Sequence, residues 1–215
     1  MLAAHSAALR SAVRLEIFTV AWMLVEAALS LGAGVVAGSI LLVAFGLDSV
    51  VELASGGVLL WRLSAEAGGR DAELVEGIER IAIRVVAVTL ALLCIYVLAS
   101  SLYGLAVRSK PESSAVGVGI SAAAVIVMPW LALQKRRLAG KLGSDALAGD
   151  AAESLTCGYM AGTVLVGVGL NALFGWWWVE DAAALVFLFW LGRETWEAFE
   201  EAREQGTGAS SVEAR

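Results

Sequence analysis

Asp48 and Glu52 stand four apart in "FGLDSVVELASG", and Glu153 and Cys157 stand four apart in "GDAAESLTCGYM". On a helix that spacing puts two side chains on one face, one turn apart. The first run is otherwise suited to lipid, where a charged carboxylate in mid-span costs about 2.5 to 3.5 kcal/mol even on a lenient scale. Asp48 and Glu52 must therefore face a polar interior or hold something cationic. With Glu153 and Cys157 they supply three carboxylates and a thiol, a four-ligand set for a divalent metal ion. The bland alternative is that such groups are protonated, or hydrogen-bonded to nearby serines, and only hold helices together. It accounts for one carboxylate better than for the whole set.

Other polar residues in apolar surroundings invite weaker readings. Glu26 lies mid-helix in the first apolar segment, where it lines an ion or proton path or bonds to a neighbouring helix. Glu16 and Asp150 lie near span ends and are expected to reach water. Asn171 reads as interhelical glue, Cys94 as a small buried hydrophobe, and His5, the sole histidine, as a solvated side chain before the first span. The run "GWWWVED" reads as an interfacial aromatic belt.

The elements that position these residues follow from composition. The chain has 215 residues, of which 59% are hydrophobic and 17% charged, with a mean hydropathy of +0.78. That is too apolar for a soluble domain and indicates an all-α integral membrane protein. A crossing needs about 20 helical residues, and six segments qualify: 13–34, 39–63, 85–107, 114–133, 146–174 and 181–196. The sixth is short and ends in charge at Arg193. With the N-terminus inside, 13 of the 15 Lys and Arg residues fall on cytoplasmic segments and only Arg108 and Lys110 fall outside. Both termini are then cytoplasmic, and the number of crossings is even. Residues 1–12 form a cytoplasmic N-terminus, 13–197 a transmembrane domain, and 198–215 a disordered cytoplasmic tail.

Several classes are excluded. The net charge of -6 comes with no basic stripe interleaved with aromatics, so nucleic acid is not a partner. Cys94 and Cys157 both lie in spans, which argues against a disulfide framework. The first apolar segment is too long for a signal peptide core and reads as a retained helix. An enzyme is not expected: there is no His-Glu-x-x-His helix and no serine nucleophile with partners.

An offset of 105 lays "SILLVAFGLDSVVELASGGVLL" over "SDALAGDAAESLTCGYMAGTVL", matching Ser39 to Ser144, Leu42 to Leu147, Ser49 to Ser154 and Gly57 to Gly162. Asp48 then falls on Glu153 and Glu52 on Cys157. The two segments run in opposite directions, each as the middle helix of a three-helix half, so the expected architecture is an inverted 3+3 repeat with its site near the midplane. At a rise of about 1.5 Å per residue, Asp48 lies about 14 Å below one surface and Cys157 about 16 Å from the other.

The segments "GSILLVAFGLDSVVE", "GKLGSDALAGDAAESLTC" and "VEDAAALVFLFWLG" resemble the cation diffusion facilitator family of metal/proton antiporters. The resemblance implies a tetrahedral metal site on the second and fifth helices, with Asp48, Glu52, Glu153 and Cys157 as ligands. Glu52 stands where aspartate is usual, and Glu153 and Cys157 where histidine and aspartate are usual. The chain therefore looks like a divergent branch, one that lacks the family's C-terminal cytoplasmic domain. The expected function is export of a divalent metal cation in exchange for protons. Cys157 favours zinc, cadmium or cobalt, while the carboxylates tolerate manganese or iron. The metal is cargo rather than a permanently bound cofactor, lipid and a second copy of the chain in a homodimer are the other partners, and the location is a bacterial inner membrane. The competing expectation is a non-transporting membrane metal sensor or assembly protein built around a structural polar cluster.

Overall fold

The computed structural model describes residues 2–67 and 72–212, with side chains at 7–64, 87–144, 147–200 and 203. His5 and the acidic stretch 65–80 lie outside the described side chains. Six helices follow one another: α1 (Leu2–Ala37), α2 (Ile40–Ala67), α3 (Ala72–Val107), α4 (Ala115–Leu142), α5 (Asp145–Phe174) and α6 (Val179–Val212). Among the described residues there is no strand. The first five helices each contain a stretch long and apolar enough to cross a membrane. In α6 the apolar run gives way to charge at Arg193 and Glu194. That helix nevertheless continues to Val212, through residues expected to form a disordered tail. Glu, Ala, Arg and Gln dominate 197–205, and these residues favour helix over coil.

Short connections fold the helices back on one another. Between α1 and α2 the chain turns at Gly38, whose φ of 63° is open to glycine without strain. The Ser114 hydroxyl accepts from Gly117 N to cap α4, and the Ser144 hydroxyl accepts from Leu147 N to cap α5. Arg108 closes α3 with a φ of 56°, and its guanidinium lies over the Trp177 ring, 6.0 Å from the centroid.

Around the bundle the helices neighbour one another in the order α1, α4, α5, α6, α3, α2, and α2 also crosses the middle to touch α5 and α6. The core is built from one stripe of each helix, at steps of three and four. On α1 the stripe is Ala12, Glu16, Thr19, Met23, Glu26 and Ser30; on α6 it is Ala184, Phe187, Leu191 and Glu194. Outward faces carry Leu24, Ile95, Val166 and Phe189, the apolar exterior that lipid requires. Close approach of α5 to α2 and α6 depends on Gly167. A Cβ there would stand 2.6 Å from Leu41 Cδ2 and 2.7 Å from Ala183 Cβ.

Candidate metal centre

Three helices each send one ligand-type side chain to a common point. One donor atom from each of Glu26 on α1, Glu52 on α2 and Cys157 on α5 lies within 4.8 Å of the other two. Glu26 is held from both sides. Its Oε2 accepts from the Trp22 indole at 2.7 Å, one turn back on α1, and its Oε1 accepts from the Ser49 hydroxyl of α2 at 2.8 Å. The Cys157 thiol lies 3.8 Å from that same Oε1. Partners of this kind fix the direction in which a ligating carboxylate presents its lone pairs. Both oxygens of Glu52 are buried without a hydrogen-bond partner.

Asp48 and Glu153 flank this group without joining it. Asp48 is fully buried one turn before Glu52, and neither of its oxygens has a hydrogen-bond partner. Among the charges that act on it are those of Glu26 and Glu153, both of its own sign. Glu153 is half-buried one turn before Cys157 and accepts from Ser55 Oγ of α2 at 3.4 Å. The expected pairs on α2 and α5 thus do face each other, but Glu26 is the third member of the tight group, in addition to the position on an ion or proton path that its sequence context suggests. A further carboxylate, Glu194 on α6, is buried and feels Asp48, Glu52 and Glu153. Carboxylates crowded in this way, out of reach of water, bind a cation or protons.

Two other polar clusters lie beyond the site toward the two ends of the bundle. Glu16 does not reach water as expected, whereas Asp150 keeps partial exposure. The Lys135 ammonium of α4 sits 3.3 Å from Glu16 Oε2 of α1 and 2.5 Å from Asp150 Oδ2 of α5, with Lys135 and Glu16 fully buried. Lys135 comes from a basic run that sequence alone assigns to a cytoplasmic loop; α4 simply extends far enough to carry it inward. At the opposite end Ser39 Oγ donates to Glu180 Oε2, and Asn171 Nδ2 donates to Glu180 Oε1 at 2.7 Å and to the Pro111 carbonyl at 3.1 Å. Asn171 is the interhelical link it was expected to be. In the aromatic run, Trp176 stacks between Phe174 and Trp178 on an exposed surface, while Glu180 and Asp181 turn inward. Cys94 is only half-buried and shares a 3.3 Å hydrogen bond with Thr195.

The family model for the cation efflux transmembrane domain matches residues 17–205. The chain belongs to the cation efflux family. The match covers α2 to α5 whole, most of α1 and α6, and every group of the acidic centre from Glu26 to Glu194. An uncharacterized transporter of Synechocystis sp. (strain ATCC 27184 / PCC 6803 / Kazusa) is 29% identical over 168 residues. The alignment covers 73% of this chain and 52% of that protein, so the chain spans about half the length of the curated relative it matches. For a cation efflux protein the facing placement of Glu52 and Cys157 was legible from two i, i+4 pairs laid over each other at an offset of 105. Glu194 was not, because "RETWEAFEE" reads as the charged end of a helix. Its signal is its register: it stands seven residues after Phe187 and three after Leu191, on the buried stripe.

Proposed function

We propose that the protein exports a divalent metal cation from the cytoplasm in exchange for protons, and that Asp48, Glu52, Glu153 and Cys157, joined by Glu26, hold the ion in transit. The observation that carries this reading is the convergence of Glu26, Glu52 and Cys157 within 4.8 Å beside a fully buried, unpartnered Asp48. Such a set is poorly explained as packing, since it leaves carboxylate oxygens buried with no hydrogen bond. It fits a borderline ion such as zinc, cadmium or cobalt through the thiolate, with manganese or iron admitted by the oxygens.

Exchange follows from the same groups. Ligands must be deprotonated to bind the metal, so loading releases protons and protonation releases metal. The basic residues orient the bundle with both termini in the cytoplasm. An inverted 3+3 arrangement places the site between the two halves, and we extend the reading to a homodimer in a bacterial inner membrane.

The test is pH-gradient-driven flux of Zn2+, Cd2+ and Mn2+ into proteoliposomes, with Asp48→Ala and Cys157→Ser alongside the unaltered protein. Flux that requires both Asp48 and the gradient is the expected result. Tight metal binding by correctly inserted protein, with no flux of any of the three ions, would instead identify a membrane metal sensor.

A further inference from the structure

The proposed ligands come from α1, α2 and α5, and none comes from α6. Glu194 changes that. It is 8% exposed, and its Oε1 is buried with no hydrogen-bond partner. Seven residues before it on the same stripe, Phe187 meets Phe45 of α2 edge-on with ring centroids 6.5 Å apart, and Glu52 stands seven residues after Phe45, so Glu194 lies at the level of Glu52, where the charges of Asp48, Glu52 and Glu153 act on it. Its neighbour Arg193 turns to the exposed face, where the guanidinium pairs with Glu197 at 2.8 Å. Glu194 thus enters the acidic centre from a fourth helix, carried there by the stripe that also buries Phe187 and Leu191.

We propose that Glu194 is a specificity-determining carboxylate of the metal centre, supplying an oxygen donor from α6 beside Asp48. This rests on the reading of the centre as a site for a divalent cation. Glu26, Glu52 and Cys157 provide two oxygens and a sulfur, enough with one more ligand for an ion content with four-coordination. A harder ion that takes up to six oxygen ligands depends on further carboxylates, and Asp48 and Glu194 are the buried ones with oxygens free of hydrogen bonds. Glu194 therefore serves Mn2+ more than Cd2+.

The experiment is competition of the full chain, in detergent micelles, against a fluorescent chelator for Mn2+ and for Cd2+. Glu194→Gln keeps the volume and removes the charge; Glu194→Asp keeps the charge and shortens the reach. Glu197→Gln removes an equal charge from the exposed side of the same helix. Ligation predicts that Glu194→Gln and Glu194→Asp each weaken Mn2+ by about 10-fold and Cd2+ by less than about 3-fold, on the scale of losses seen around metal sites. Glu197→Gln leaves both unchanged. Equal losses for the two metals, or a Glu194→Asp protein indistinguishable from the unaltered one, would mean that Glu194 acts only as a distant charge and overturn the proposal. Failure of the unaltered protein to bind either ion would remove the metal-site reading, and the proposal with it.

Discussion

At the scale of single residues, Glu26 is the carboxylate of the centre that is held from two sides. Its Oε2 accepts from Trp22 and its Oε1 from Ser49, and one of its oxygens lies within 4.8 Å of donor atoms of both Glu52 and Cys157. Trp22→Phe and Ser49→Ala each remove one donor without touching a ligand atom. Either change should weaken metal binding by about 10- to 100-fold, the range found when groups supporting a metal ligand are lost, while leaving the fold intact by circular dichroism. Cys157→Ser exchanges a soft donor for a hard one. The variant should lose Cd2+ affinity more than Mn2+ affinity, and equal losses in a competition titration would count against thiolate ligation.

At the scale of helices, Lys135 ties α1, α4 and α5 together with one ammonium shared between Glu16 and Asp150. Buried pairs of this kind add little net stability, yet removing one partner leaves uncompensated charge and costs about 3 to 5 kcal/mol. Lys135→Met should lower the thermal midpoint in detergent sharply, and the triple change Lys135→Met, Glu16→Gln, Asp150→Asn should recover most of the loss. Failure of the triple variant to recover would point to packing rather than charge. Gly167 sets a different constraint. Gly167→Ala forces α5 away from Leu41 and Ala183, an overpacking that costs about 1 to 3 kcal/mol. Because the displaced helix carries Cys157, metal affinity should fall along with the thermal midpoint.

For the whole molecule, the main consequence of the proposed exchange is a tie between metal and protons. Each ligand that binds the ion must first lose its proton, so affinity falls as pH falls and binding acidifies the medium. Titrating Cd2+ into weakly buffered protein should release protons, and the apparent affinity should weaken between pH 8 and pH 6. A pH-independent affinity with no proton release would argue against exchange. The molecule is also bonded at both ends, by Lys135 between Glu16 and Asp150 and by Glu180 between Ser39 and Asn171. The acidic centre lies between them, about 15 Å along α1 from Glu16 to Glu26.

Sequence by itself determined that the chain is helical and apolar enough for a membrane, because hydropathy and length act locally and do not depend on which helix meets which. It also determined that Asp48 with Glu52 and Glu153 with Cys157 share helix faces, since a spacing of four residues is a property of a single helix. Only the tertiary structure decided which of the remaining polar residues belong with them. Glu26 and Glu16 lie on one stripe of α1, ten residues apart, yet one faces Cys157 and the other faces Lys135. Glu194 reads as a helix end until the burial of Phe187 and Leu191 shows which way its face turns. A side chain's partners depend on the packing of neighbouring helices, and that packing is set by steric contacts such as Gly167 against Leu41 and Ala183, which no local pattern records.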